Sequence, residues 1–144
     1  MESIESASER MRGSVTPEIK QRASDIISII SGGRYGELNT GKKLQPAVVS
    51  NGIPVGAELL SGGTRDSVYL ALRISLMSQI FSEDMPPLMM DEALCQLDDA
   101  RAEKTVVLLS ELTRTDMQIL LFTCHKREAE ICEKIGMEAN IIEL

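Results

Sequence analysis

With 144 residues the chain is long enough for one domain with a single respectable core, and 43% of it is hydrophobic. Only 3% is aromatic and Trp is absent, so Leu, Ile, Val and Met must fill that core. A net charge of −7 argues against this chain, by itself, gripping nucleic-acid phosphates or an anionic membrane surface, and no apolar run approaches the ~18 residues of a membrane span.

The acidic, polar N-terminus is no signal peptide, and no internal repeat is evident. From Met1 to about Arg12, Ile4, Ala7 and Met11 recur at helical spacing, a stripe too thin for a core helix. It fits the last turns of a longer helix or coiled coil, or a frayed terminus, and sets residues 1–15 apart from a domain over 16–144. Thr16-Pro17-Glu18 is a helix start, with a hydroxyl cap and proline at the first helical position. Ile19, Ala23, Ile26, Ile27 and Ile30 make one apolar face, and Gly32-Gly33 ends the helix.

The period then changes. Tyr35 to Leu38 and Leu44 to Val49 read as short strands, and Ser50-Asn51-Gly52 as a hairpin turn into Ile53-Pro54-Val55. Pro46 and Pro54 imply edge positions. Gly36 to Lys43 matches the spacing of a P-loop, but Lys43 stands where a Mg²⁺-binding hydroxyl is needed, and the flanks read as strand and turn.

Ser61-Gly62-Gly63 then opens a helix running to about Phe81. Two residues without side chains at a helix start let the backbone approach a ligand, and the first N–H groups there have no intrahelical partner. With a serine hydroxyl and the helix dipole this is a site for a phosphate-like anion; Ser-Gly-Gly is also an ordinary loop before a helix. Val68, Leu72, Leu76 and Ile80 form one apolar row and Leu70, Ile74, Met77 and Phe81 a second, which predicts packing on two sides.

Beyond Pro86-Pro87, Leu88-Met89-Met90-Asp91-Glu92 reads as a buried parallel strand whose carboxylates open into a site. Asp91 is suited to holding Mg²⁺, and Glu92 to polarising a water that attacks phosphorus; the pair could equally cap the next loop. Leu97-Asp98-Asp99 opens a helix to about Leu112, with Ala102, Val106, Leu109 and Leu112 inward and either aspartate a natural cap. Gln118 to His125 reads as another buried strand, ending in the only histidine. A lone histidine is usually structural, but at that strand end, beside Asp91 and Glu92, it is placed to touch a ligand. A helix from about Lys126 to Ile135, a Gly136 stop and a last strand from Ala139 to Leu144 close the chain. Cys95, Cys124 and Cys132 are odd in number and lack Cys-x-x-Cys spacing, which suits reduced thiols of a cytoplasmic protein better than a metal cluster.

In this order, Leu60-Ser61-Gly62-Gly63, the Asp91-Glu92 strand end, Leu97-Asp98 and His125 resemble the signature, Walker B, D-loop and H-loop of ABC-type ATPases. Asp98 lies seven residues beyond Asp91, as in that class. Arg65-Asp-Ser-Val-Tyr-Leu-Ala-Leu-Arg73 and Leu121-Phe-Thr-Cys-His125 are similar to the SMC-like group of DNA-repair and chromosome-maintenance ATPases, most of all its YhaN-like branch, and unlike a transporter cassette. The resemblance covers roughly Ser31 to Leu144.

It implies an α/β, P-loop NTPase-like fold with a mainly parallel sheet flanked by helices and a small antiparallel hairpin region. It also implies ATP and Mg²⁺ as cofactors. Ser61, Gly62 and Gly63 would contact the γ-phosphate of a nucleotide held by a second head across an ATP-dependent dimer interface. Asp91 would serve Mg²⁺, Glu92 would be the catalytic base, His125 would sense the γ-phosphate, and Asp98 would work at the dimer interface. Thr64 departs from the family, where Gln is frequent. The N-terminal Walker A lobe and the long coiled coil are missing, so the chain alone is expected to hydrolyse ATP negligibly and to need that lobe, in the same or a separate chain. DNA contact would belong to the assembled heads. A non-catalytic interaction module derived from such a head is the alternative.

Overall fold

The computed structural model describes residues 16–40, 45–81, 85–115 and 117–143. The Met1–Arg12 stripe, residues 41–44 of the P-loop-like stretch and the following strand start, and Leu144 lie outside them.

Helix α1, Pro17–Ser31, begins as its sequence dictates: Thr16 Oγ1 accepts from the Ile19 N–H at 3.4 Å, and Gly32 closes the helix in the left-handed region at φ 66°. Its inward face is Ile19, Ala23, Ile26, Ile27 and Ile30, all buried. Ser24 lies on the same face, where its hydroxyl donates to the Lys20 carbonyl and accepts from the Leu38 N–H at 2.9 Å. One polar side chain thus docks the first strand onto the helix.

Strands β1 (Leu38–Thr40), β2 (Pro46–Ser50) and β3 (Ile53–Gly56) form an antiparallel sheet in that order. Asn51 and Gly52 both have positive φ, 52° and 79°, the mirror-image turn that matches strand twist. Two expectations shift here. The first strand starts at Leu38, not Tyr35, because the Tyr35 N–H is spent on Ser31 Oγ at 3.1 Å and its ring is buried in the core. Pro46 is on the central strand, not an edge; as its first residue it needs to donate no ladder bond, while Pro54 is on the edge strand β3.

After a short 3₁₀ turn, Ala57–Leu59, helix α2 (Gly62–Ile80) packs along α1. Val68, Leu70, Ala71 and Ile74 are buried, but Ile80 is 66% exposed and Phe81 41%. Two-sided packing therefore fails in the last turn, where the apolar spacing runs on past the part of the fold that covers it.

Strand β4 (Leu88–Asp91) pairs in parallel with β5 (Ile119–Phe122), in register Leu88 with Ile119 and Asp91 with Phe122. Helix α3 (Asp99–Thr113) and helix α4 (Lys126–Lys134) complete the order. The core joins α1, α2, α3, Leu38, Val48, Leu88 and Met90, and a second cluster of Leu94, Leu97, Ala102, Val106 and Ile131 fastens the loop after β4 against α3 and α4.

The parallel pair is not buried on both faces as its apolar run suggested. Leu88 and Met90 are buried, whereas Met89 is 52% exposed and, on β5, Leu120 is 38% and Phe122 47% exposed. Nor is the sheet mainly parallel among the described residues: three strands are antiparallel and two parallel. The expected last strand from Ala139 is irregular through Glu143, with Ile142 73% exposed, since no described strand runs beside it. Among the described residues no helix is long and apolar enough to cross a membrane.

Candidate functional site

Two constructed corners lie at opposite ends of one loop, residues 92–97. The first is the C-terminal rim of the parallel pair. The Glu92 N–H extends the β4–β5 ladder by donating to the Phe122 carbonyl at 2.9 Å. Glu92 itself then takes a left-handed conformation, φ 48°, which costs a residue with a Cβ about 1 kcal/mol and bends the chain out of the strand. Its carboxylate crosses to the other strand's exit, where Oε1 accepts from the Cys124 N–H at 2.7 Å and Oε2 stands 3.9 Å from His125 Nε2. The acid and the histidine, 33 positions apart, are thereby brought together at one sheet edge.

The Cys124 thiol and backbone N–H hold the Glu92 carboxyl below the ordinary carboxylate range, and Glu92 in turn pushes the Cys124 thiol up. Glu92 is therefore ionised, an acceptor, at neutral pH. His125 is half-exposed and its backbone N–H is held by Thr123 Oγ1 at 3.0 Å. Asp91 is exposed; it shares the bare face of β4 with Met89, and a shallow groove there is lined by both with Phe122. Its carboxylate is not among the donor atoms that cluster around Glu92.

The second corner is the start of α2. Ser61 is exposed, Gly62 half-buried and Gly63 buried. A Cβ on Gly63 would overlap the Gln96 backbone carbonyl, and one on Gly62 the end of the Gln96 side chain, so the 92–97 loop lies directly behind the turn. Ser61 Oγ and Thr64 Oγ1 are 2.9 Å apart, and Thr64, 2% exposed, accepts from Arg101 Nη1 at 2.9 Å. Arg101 Nε lies 3.4 Å from Asp98 Oδ2, while Asp98 Oδ1 accepts from the Arg101 N–H at 3.0 Å as the N-cap of α3. Asp98 thus has a structural task fully described by this chain.

Sequence reasoning passed over three residues that hold these corners: Gln96, Arg101 and Arg127. Arg127 Nη1 and Nη2 donate to the Leu97 and Leu94 carbonyls at 2.8 and 2.7 Å, and Nη2 pairs at 2.9 Å with Glu128, which is 3% exposed. One guanidinium thus ties the start of α4, two positions beyond His125, to the loop that backs the serine turn. The signal for it was thin: a basic residue two positions after His125.

No protein-family model matches the chain. It is 27% identical over 120 residues to YhaN of Bacillus subtilis, an uncharacterised protein, covering 82% of this chain and 12% of that one. It is 24% identical over 135 residues to the DNA double-strand break repair Rad50 ATPase of Thermoplasma acidophilum, covering 92% of this chain and 15% of that one. The chain therefore spans a small part of these relatives' length. Among solved structures it resembles the SMC head domain of Thermotoga maritima, with a TM-score of 0.61 and 27% identity over 85% of this chain and 43% of that one. It also resembles the Pyrococcus furiosus Smc head bound to the C-terminal domain of ScpA, with a TM-score of 0.63 and 18% identity over 79% of this chain and 30% of that one. Sequence relatives and solved structures agree in kind: the chain is similar to SMC-like ATPase heads.

Proposed function

We propose that the chain is the C-terminal half of an SMC-like ATPase that binds and hydrolyses ATP at a head–head interface once a Walker A lobe completes it, in DNA repair or chromosome maintenance. The observation that carries this is the Glu92 carboxylate, held ionised by Cys124 within 3.9 Å of His125 at a parallel strand end. Glu92 is positioned to accept the proton of an attacking water, and His125 to touch the phosphate being attacked. Asp91 would hold Mg²⁺, which supplies charge neutralisation of the phosphates when bound.

The serine turn fits the γ-phosphate of a nucleotide on another head. A guanidinium can only donate, so Thr64 accepts from Arg101. With the Thr64 proton directed at Ser61 Oγ, the Ser61 proton is left for an anion beside the first amides of α2. The Arg101 pairing gives Thr64, the departure from the family's frequent Gln, a partner of its own. The bare face of the parallel pair, Met89, Leu120 and Phe122, is apolar surface for the completing lobe to cover.

The reading is tested by co-expressing the chain with the P-loop lobe of its own genome and measuring association of the assembled heads with and without Mg²⁺-ATP. ATP-dependent dimers that Glu92→Gln prolongs, by blocking hydrolysis, and that Ser61→Arg abolishes are expected. Association indifferent to both substitutions would instead identify a non-catalytic interaction module. Purified chain alone should show background turnover; turnover lost on Glu92→Gln would refute the need for a second lobe.

A further inference from the structure

The Glu92–His125 rim contains a third donor that ATP hydrolysis does not use. One carboxylate oxygen of Glu92, the Cys124 sulfur and a ring nitrogen of His125 all lie within 4.8 Å of one another. Tetrahedral Zn²⁺, with bonds of about 2.0–2.3 Å, sets its donors roughly 3.5 Å apart, so side-chain rotations alone close this triangle onto an ion. The donor types matter: a carboxylate-only pair would suit Mg²⁺, whereas thiolate with imidazole selects a softer ion. The backbone is already set for it. Glu92 is bound to the Cys124 N–H, Thr123 holds the His125 N–H, and the φ of 48° at Glu92 keeps the carboxylate turned toward Cys124. All three side chains are reached by solvent.

We propose that Glu92, Cys124 and His125 form a binding site for a thiophilic divalent cation of the Zn²⁺ class, with water in the fourth position. Binding replaces the Cys124 S–H proton, which leaves to solvent, with a metal–sulfur bond; no electron is transferred. An occupied site is an off switch. The ion withdraws Glu92 from its water and His125 from its phosphate, a consequence that rests on the roles proposed for them above. Spacing along the sequence could not show this site, because its donors come from two strand exits and include one cysteine.

The test uses the full chain, reduced and stripped of metal, with Co²⁺ as the spectroscopic probe and Zn²⁺ as competitor. One equivalent of Co²⁺ should give a thiolate-to-cobalt charge-transfer band and the strong visible bands of a tetrahedral ion, both removed by Zn²⁺. Cys124→Ser should abolish the charge-transfer band. Glu92→Gln and His125→Ala should each weaken Co²⁺ binding by more than about tenfold, since outer-shell partners of metal ligands alone are worth that much. Cys95→Ser and Cys132→Ser should leave the spectrum unchanged. Circular dichroism verifies that each variant is folded, and Zn²⁺ should raise the melting temperature of the parent but not of Cys124→Ser. An octahedral spectrum, or a charge-transfer band that survives Cys124→Ser, would overturn the proposal. No nucleotide is involved, so its failure leaves the ATPase reading standing, and failure of ATP-dependent association leaves the metal site standing.

Discussion

The serine turn at Ser61–Thr64 and the rim at Glu92–His125 are built on opposite plans. The turn is closed from behind: Gly63 is pressed on the Gln96 backbone and Thr64 is sealed under Arg101. The rim is open, with Glu92 and His125 side chains 39% and 50% exposed and one backbone N–H holding the carboxylate. The difference follows from what each presents. In the function proposed above, a phosphate cradle made of backbone and one hydroxyl must have its shape fixed by packing, whereas reactive side chains must be left reachable until something covers them. The 92–97 loop touches both, with Glu92 at the rim and Gln96 behind the turn.

The sharpest way to break this picture is Arg127→Met. It removes the donors to the Leu94 and Leu97 carbonyls and strands Glu128, 3% exposed, with only Thr123 as a neighbour donor. A stability loss of about 3 kcal/mol in urea denaturation is expected. Arg127→Lys should recover only part of it, because an ammonium cannot fork between two carbonyls and a carboxylate. A loss under about 1 kcal/mol, the worth of one ordinary hydrogen bond, would mean the corners are not joined through Arg127.

The two glycines sharpen the contrast between a rigid backing and a movable one. Gly63→Ala drives a methyl into a backbone carbonyl and should cost about 2 kcal/mol, in the range of overpacking. Gly62→Ala meets only the far end of the Gln96 side chain, which can swing away, so its cost should be well below that of Gly63→Ala. Equal losses in the same denaturation experiment would show that the turn is not held by the loop's backbone.

What was legible in the sequence divides along the same line. Thr16-Pro17, Gly32, Asn51-Gly52 and the Ile19–Ile30 face are local signals, and each produced the element it announced. The meeting of Glu92 and His125 followed from two apolar runs being parallel neighbours. Gln96, Arg101 and Arg127 were not legible, because each acts on a carbonyl, hydroxyl or glycine 30 or more positions away, with no periodicity to betray it. The errors at Met89, Phe122 and Ile80 share a cause: apolar residues were assigned to a core that the described residues do not supply.

The smallest expected effect concerns the open rim itself. Hydrogen bonding to Cys124 lowers the Glu92 pKa in the folded state, so the folded chain binds a proton there less readily than the unfolded chain. Stability from this group is therefore fully present above the ordinary glutamate pKa of about 4.3, and is lost as pH falls through the lowered folded value. Melting temperatures of the parent and of Glu92→Gln, followed downward from neutral pH, should differ most at neutrality and converge in that acid window. The amide also cannot take up the charge-assisted bond from the Cys124 N–H at full strength, so the offset at neutrality favours the parent. Curves that stay parallel through the window would show that the carboxylate is not anchored by the histidine strand, and the rim would then be no more preorganised than any exposed pair of side chains.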